Sequence, residues 1–310
     1  MAVAALAACT KSEVNYEAPA EIGFAPATKN ITKAAMTGPM ETTKNLGIWA
    51  YWNGTNGSTP EVNATYANYT DPYLVNAEFA NKSGVNWGGK NQAYYWPTNG
   101  ALVFAGYNKP ADTSINAAYS GLTDNKITFS NYSQSTDMTQ TFDLCWFGRT
   151  AASYNYRLSS GTAVPVTLSH ALTWITINVK GDNVTAPSGE GAMPWKITKA
   201  TIKGANTLGV TGECVFDTDG KANATWTSST PGDIIVNNAS QNLTTTAMPY
   251  ESTTAGLVVI PQTPVKLEVE YEYPVAGTYK AGKSTVDLTL TNHKDESGNE
   301  ITSRIATWLS

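Results

Sequence analysis

The sequence has little charge, little histidine and little cysteine. Charged residues make up 15% of the 310 residues and the formal net charge is −5, so the basic surface that nucleic-acid binding needs is missing and we expect no nucleic-acid partner. No apolar run reaches the roughly 20 residues that cross a bilayer as a helix. The two histidines, His170 and His293, belong to no recognisable nucleophile or metal motif. We therefore predict no catalytic residue, no metal site and no cofactor.

The three cysteines are too few for a disulfide framework. Cys145 and Cys214 lie far apart in the chain and are predicted to be small buried thiols. Cys9 differs, because it ends the apolar run 1–9, which is typical of the end of a signal peptide. Leu6-Ala7-Ala8-Cys9 resembles a bacterial lipobox, so we predict lipidation of Cys9 and attachment to the outer membrane through acyl chains. The basic segment that normally precedes such a run is absent, so we expect the natural chain to begin before Met1.

Thr, Asn, Ser, Gly, Trp and Tyr are abundant, which is typical of an all-β protein with many turns. Short alternating segments without helical crossovers predict two β-sandwich domains in tandem. We expect a signal remnant at 1–9, a leader at 10–45, an N-terminal sandwich at 46–160 and a C-terminal sandwich at 161–310. The predicted strands are Leu46–Trp52, Tyr73–Phe79, Ala93–Trp96, Ala101–Tyr107, Lys126–Tyr132, Gln140–Phe147, a strand pair in Val164–Val179, Trp195–Lys203, Gly212–Phe216, Leu257–Pro261, Val265–Tyr273 and Thr285–Thr291, the last with Val286 on its buried face.

The densest aromatic stretch is QAYYWPTNGALVFAGY at 92–107, where two strands are expected around a turn. Apolar residues occupy both faces of the second strand, so we predict that it is covered on both sides and that Trp96 is a core residue. Other aromatics remain candidates for stacking on sugar rings. They are Trp87 beside Gly88-Gly89 in a predicted loop, the pair Trp49 and Tyr51, and the set Tyr66, Tyr69 and Tyr73.

Several short motifs occur in a fixed order along the chain. They are Cys9, Ile22-Gly23-Phe24, Thr32-Lys33-Ala34, Trp49-Ala50-Tyr51-Trp52, Tyr94-Tyr95-Trp96-Pro97, Leu102–Tyr107 and Val166–Leu172. Together they resemble the fimbrillin family of Gram-negative anaerobes, whose members are lipoprotein precursors of type V pili, over the region from Cys9 to Trp308. The resemblance implies two transthyretin-like β-sandwich domains and a non-enzymatic structural subunit of a surface fimbria that supports adhesion.

The resemblance also implies a mode of assembly. In polymerising members a protease removes the lipidated leader with the first strand, and a C-terminal strand from another copy or a related subunit fills the groove. In this sequence the removable strand would lie at Glu21–Ala25. Members usually continue past the region that matches Arg304–Ser310 with two further strands, the last being the donor. We expect the sequence given to lack that donor strand, a naturally short variant being the alternative.

The processing protease is a further expected partner, and its cut would fall between Lys29 and Asn45. Well-known members are cut after an arginine, whereas the first arginine here is Arg149, inside the predicted first domain. Lys33 and Lys44 remain as basic candidates, and we favour Lys33. A different protease specificity, or an anchor subunit that is never cut, stays open.

A surface lipoprotein or fimbrial tip adhesin that binds host glycans or proteins through exposed aromatics is the alternative function. An enzyme ranks third, because the sequence contains no recognisable catalytic constellation.

Overall fold

The fold is taken from a computed structural model. It describes residues 20–28, 44–53, 69, 71–83, 86–97, 101–109, 115–132, 142–149, 154–155, 163–181, 193–208, 210–216, 222–227, 230–250, 257–260, 262–290, 293–294, 300–301 and 303–309. These residues form strands, turns and bends, and none of them is helical. The prediction of an all-β chain is therefore confirmed. The same residues accordingly offer no long apolar helix of the kind that spans a membrane.

The strands are numbered along the chain. They are β1 Phe24–Thr28, β2 Asn45–Asn53, β3 Asp71–Ser83, β4 Asn86–Gly89, β5 Ala101–Lys109, β6 Asn116–Tyr119, β7 Lys126–Tyr132, β8 Cys145–Phe147, β9 Tyr154–Asn155, β10 Val164–His170, β11 Thr173–Gly181, β12 Lys196–Leu208, β13 Val210–Phe216, β14 Ala222–Thr227, β15 Thr230–Asn237, β16 Gln241–Asn242, β17 Met248–Pro249, β18 Leu257–Val259, β19 Gln262–Val275, β20 Thr278–Leu290, β21 His293–Lys294, β22 Glu300–Ile301 and β23 Ser303–Leu309.

The first half of the chain builds a sheet that closes on itself. Its order is β2-β3-β4-β1-β10-β8-β5-β9, and β2 also pairs with β5. Because successive side chains of a strand point to opposite faces, alternate residues of these strands meet inside the closed sheet. Phe24 of β1, Phe79 of β3 and Phe104 of β5 lie in this core together with Trp96.

Strand β5 has the double coverage that its sequence predicts. Leu102 and Phe104 lie in the core inside the closed sheet, whereas Val103 and Tyr107 pack in two other apolar clusters. The expected hairpin between Ala93–Trp96 and β5 is wrong. One edge of β5 pairs with β2 and the other with β8 and β9, so neither edge remains for the 93–96 segment.

A four-stranded sheet joins the two halves of the chain. Its order is β14-β13-β7-β6, so strands from either side of residue 160 pair directly. The sheet covers the outer face of the closed sheet through a shared core that includes Tyr107, Phe129, Trp146 and Trp226. The indole N–H of Trp226 also donates a hydrogen bond of 2.9 Å to the carbonyl of Ala171, at the bend between β10 and β11.

The run 164–179 contains two strands as predicted, but they do not pair with each other. β10 belongs to the closed sheet, whereas β11 pairs with β17, β18 and β23. The sheet around β11 faces a second sheet of order β15-β12-β19-β20, with β16 beside β12. Ile177 of β11 and Val269 of β19 lie in the core between these two sheets.

Apolar and acidic residues alternate along β19, and burial follows this pattern in its middle, where Leu267 and Val269 are buried and Glu268 and Glu270 are half-buried on the other face. Further along, Tyr271 and Tyr273 are only half-buried. The prediction that Val286 lies on a buried face is wrong, since its side chain is 36% exposed. In the described part of the chain β20 is the edge strand of its sheet and pairs only with β19, so neighbouring strands cover it less completely.

Trp96→Ala tests the core assignment of the aromatic stretch. Trp96 is 5% exposed and its ring meets that of Phe104 edge-to-face at 5.8 Å. We expect the free energy of unfolding, measured by urea denaturation, to fall by about 3–5 kcal/mol. Tyr95→Ala is the matched control, because the Tyr95 side chain is 45% exposed and its loss should change stability by about 0.5 kcal/mol or less. Equal effects of the two changes would contradict the assignment.

Candidate functional site

The first strand lies inside the closed sheet and not at an edge of it. β1 pairs in parallel with β10, with Phe24 opposite Val164 and Thr28 opposite Leu168. On its other side Phe24 pairs with Trp87 of β4. The strand thus fills the space between β4 and β10, and its removal would leave both neighbours with an unpaired edge.

Main-chain hydrogen bonds extend this pairing ahead of β1. The N–H of Ile22 donates to the carbonyl of Tyr94 at 2.7 Å, and the N–H of Trp96 donates to the carbonyl of Ala20 at 2.9 Å. On the opposite side the N–H of Val164 donates to the carbonyl of Gly23 at 2.7 Å. The paired segment therefore runs from Ala20 to Thr28 and includes the predicted removable strand Glu21–Ala25.

The side chains of this segment alternate between core and surface. Ile22, Phe24 and Pro26 are buried, whereas Glu21 and Ala27 are exposed. This is the period of two that a strand imposes when one face is covered. The ring of Phe24 meets Phe79 at 4.9 Å and Phe104 at 5.2 Å, both edge-to-face. Without this segment the core would contain an apolar slot at the positions of Ile22 and Phe24, both of which are fully buried. We call the space that Ala20–Thr28 occupies the strand groove.

Trp87 forms part of a wall of the strand groove. Its side chain is 0% exposed, so the sequence-based candidate for sugar stacking is wrong, since the ring presents no face to a ligand. Its surroundings were predicted to be a loop, but residues 86–89 form β4, which pairs with β3 and β1. The indole N–H of Trp87 donates to the carbonyl of Lys44 at 3.0 Å.

That hydrogen bond fixes the main chain of one processing candidate. The Lys44 carbonyl is held by Trp87, and the Lys44 ammonium lies 5.0 Å from the centre of the Phe142 ring. The next residue, Asn45, is buried and begins β2, where it pairs with Lys109. The other candidate, Lys33, and the lipidation candidate, Cys9, lie outside the described residues.

The remaining aromatic candidates give only fragments of a surface. Trp49 and Tyr69 are buried, and Tyr51 is half-buried. Tyr73 is 37% exposed, and its hydroxyl donates to the carbonyl of Tyr95 at 2.7 Å. Tyr66 lies outside the described residues.

A buried polar cluster lies at one end of the core inside the closed sheet. Cys145 of β8 and His170 of β10 are partners in the antiparallel ladder, so their side chains lie on the same face. The Nδ1 atom of His170 lies 2.9 Å from Oδ2 of Asp143 and 3.4 Å from Sγ of Cys145. Sγ of Cys145 lies 3.3 Å from the same carboxylate oxygen. These three side chains form the Asp143–Cys145–His170 cluster.

Electrostatics and geometry limit what this cluster does chemically. Burial alone raises the pKa of the Asp143 carboxyl, but the charge and hydrogen bond of His170 and the hydrogen bond from Cys145 hold that pKa below its usual value. Asp143 and Cys145 both contact the same ring nitrogen of His170, whereas a catalytic triad uses the two ring nitrogens for two different partners. The three ligand-type atoms lie close enough together to hold a metal ion.

No sequence motif marks this cluster. Cys145 and Cys214 are buried as predicted, but the sequence indicates no partner for Cys145. The available signal was local, because Asp143 and Cys145 are two residues apart and so share a face of an extended chain. His170 follows 25 residues after Cys145, and only the pairing of β8 with β10 brings it to them.

Comparison with known proteins identifies the family. Residues 32–308 match the family model described as Fimbrillin-like, which covers most of the chain. This chain belongs to the fimbrillin-like family. The resemblance found in the sequence is therefore confirmed. No curated protein matches the sequence.

Solved structures similar to this fimbrillin-like chain include several from Bacteroides species. A protein of Bacteroides ovatus proposed to act in cell adhesion is 18% identical, with coverage of 88% of this chain and 89% of that one and a TM-score of 0.43. A protein of Bacteroides thetaiotaomicron proposed to bind polysaccharide is 10% identical, with coverage of 93% and 90% and a TM-score of 0.40. A third, from Bacteroides eggerthii and also proposed to act in cell adhesion, is 12% identical, with coverage of 94% and 86% and a TM-score of 0.38.

Phe24→Ala tests how strongly the first strand of this fimbrillin-like chain is held. The change leaves a void between Phe79 and Phe104, so we expect the free energy of unfolding to fall by about 3–5 kcal/mol in urea denaturation. Glu21→Ala removes an exposed side chain from the same segment and should cost about 0.5 kcal/mol or less. A Phe24→Ala chain as stable as the Glu21→Ala chain would show that the segment contributes little to the core.

Proposed function

We propose that this protein is a non-enzymatic structural subunit of a bacterial surface fimbria that supports adhesion and polymerises by exchange of the first strand. The observation that carries the proposal is the strand groove. Its segment Ala20–Thr28 pairs through Ala20–Phe24 with β4 and residues 94–96 and through Gly23–Thr28 with β10, and it inserts Phe24 into the core. Membership of the fimbrillin-like family supports a fimbrial location on the cell surface. In this proposal the protein is exported as a lipoprotein whose acyl chains are attached at Cys9. Its domains are two tandem transthyretin-like sandwiches.

In this proposal a protease cuts the chain between β1 and β2. The leader and β1 then leave, and a C-terminal strand from another copy or a related subunit enters the strand groove. The incoming strand restores the main-chain hydrogen bonds to β10 and to the 94–96 segment, which gives affinity without regard to its sequence. Its alternate apolar side chains replace those of Ile22, Phe24 and Pro26, which fixes the register.

The strand groove disfavours spontaneous loss of β1. The segment buries Ile22 and Phe24 completely, and its removal exposes apolar core and unpaired main-chain groups at the same time. Exchange therefore needs an incoming strand that replaces both kinds of contact. This requirement favours a partner strand with large apolar residues at alternate positions.

Strand exchange can be tested with a cleavable leader. A site for a specific protease is placed between residues 34 and 40 of the full chain, the folded protein is cut, and a labelled peptide with the sequence of residues 20–28 is added. We expect the cut chain to exchange its own strand for the peptide and to run with it as an SDS-resistant complex, whereas the uncut chain does not.

The peptide with Phe24→Asp is the matched control, because a charge at this fully buried position of the strand groove is costly. Exchange of the control peptide at the same rate as the native one, or no exchange into the cut chain, would contradict the proposal. Chains that carry their donor strand are further expected to form SDS-resistant ladders after cutting.

We also propose that the processing protease cuts after Lys33 and not after Lys44. A protease binds its substrate in an extended form, but the Lys44 carbonyl is bound by Trp87 and Asn45 is already part of β2. Lys33→Gln is therefore expected to block removal of the leader, whereas Lys44→Gln leaves it unchanged. Intact mass and N-terminal sequencing of the subunit from native surface fibres provide the measurement. A mature chain that begins at Asn45 would contradict the expected site.

A further inference from the structure

The Asp143–Cys145–His170 cluster takes no part in strand exchange, and it contains three types of metal ligand. A thiol, an imidazole nitrogen and a carboxylate oxygen converge in a place closed to solvent. The three side chains come from β8, from the residues just before it, and from the end of β10. Since backbone pairing fixes β8 and β10 relative to each other, the ligand set is preformed.

The separations of the three atoms suit a tetrahedral zinc ion. Zinc bonds of about 2.0–2.3 Å place tetrahedral ligands roughly 3.3 Å apart for nitrogen and oxygen and about 3.5 Å apart when one of them is sulfur. The observed separations are 2.9 Å between Nδ1 of His170 and Oδ2 of Asp143, 3.4 Å between Nδ1 and Sγ of Cys145, and 3.3 Å between Sγ and Oδ2. The atoms need to move apart by only a few tenths of an ångström.

The charges also match. A carboxylate, a thiolate and a neutral imidazole carry two negative charges together, and a divalent cation neutralises them. Such neutrality matters in a buried site, because an uncompensated charge away from water is costly. The second oxygen of the same carboxylate, Oδ1 of Asp143, is buried and has no hydrogen-bond partner among the described residues, so it is available to make the carboxylate a bidentate ligand.

A supporting residue holds two of the ligands in place. Asn108 of β5 is buried, and its Nδ2 donates to the carbonyl of Asp143 at 2.7 Å. Its Oδ1 accepts from the N–H of Cys145 at 2.6 Å. One side chain thus clamps the main chain on either side of Leu144 and so limits the movement of Asp143 and Cys145.

We propose that Asp143, Cys145 and His170 bind one zinc ion that joins β8 to β10. Mixed sulfur, nitrogen and oxygen ligands favour zinc over calcium and magnesium, which prefer oxygen alone. The ion is structural, because the site is closed to substrate. It fixes the end of β10, the strand that also forms one wall of the strand groove. The alternative is a metal-free cluster held by hydrogen bonds to Asp143.

The test uses the full chain. The protein is unfolded in denaturant with a chelator, freed of metal, and refolded either with Zn²⁺ or with the chelator present. We expect one zinc per chain by elemental mass spectrometry after gel filtration, and a Tm several degrees higher in the zinc-loaded sample. Refolding with Co²⁺ in place of zinc should give the near-ultraviolet absorption band of cobalt bound to a thiolate.

Variants identify the thiolate. Cys145→Ala should lose the zinc and the cobalt band, whereas Cys214→Ala, which removes another buried thiol, and Cys9→Ser should retain both. If the Cys145→Ala chain does not fold, the spectrum of the unaltered protein still decides. Less than about a tenth of a zinc per chain, no cobalt–thiolate band, or zinc retained by a folded Cys145→Ala chain would each overturn the proposal and favour the metal-free cluster.

Discussion

Main-chain hydrogen bonding on both edges of the first strand is the constraint on which the rest of the first half depends. A strand in the middle of a sheet must satisfy the N–H and C=O groups of two neighbours, and in this chain those neighbours are β4 and β10. With β1 in place the described strands β2, β3, β4, β1, β10, β8 and β5 form an unbroken ring, because β2 pairs with both β3 and β5. The core inside the ring then closes around Phe24. A segment near the start of the chain therefore completes a structure made mostly from residues that follow it.

The recurrence of apolar residues within single strands predicted which faces of those strands are buried. The double coverage of β5 and the buried face of β19 follow from where apolar residues recur, and both are present. The same patterns did not predict which strands pair with each other. The 93–96 segment was expected beside β5 because the two are close in sequence, but the edges of β5 are taken by β2, β8 and β9. Which strands pair with the edges of β5 therefore depends on segments from the whole chain and not only on the segment nearest in sequence.

The burial of Trp87 and the Asp143–Cys145–His170 cluster could not be predicted from the sequence for the same reason. Trp87 follows a polar stretch and precedes two glycines, which is typical of a loop, but the entry of β1 beside β4 buries it completely. The Asp143–Cys145–His170 cluster needs the antiparallel pairing of β8 with β10, and neither strand predicts the other as its partner. In both cases a long-range contact gives the residue its environment. The groove itself was foreseen only through the family resemblance, which supplied the idea of a removable strand.

The short bend between β10 and β11 has a mechanical meaning. β10 holds β1 in the closed sheet, and β11 holds β23 in the other sheet. In the proposed fibre a load carried from one of these strands to the other would therefore cross Ala171 and Leu172. The Ala171 N–H donates to the carbonyl of Leu144 at 2.8 Å, and its carbonyl accepts from the buried indole of Trp226. Such a load would be shared with Leu144, which precedes β8, and with Trp226 of β14, and would not rest on the two residues of the bend alone.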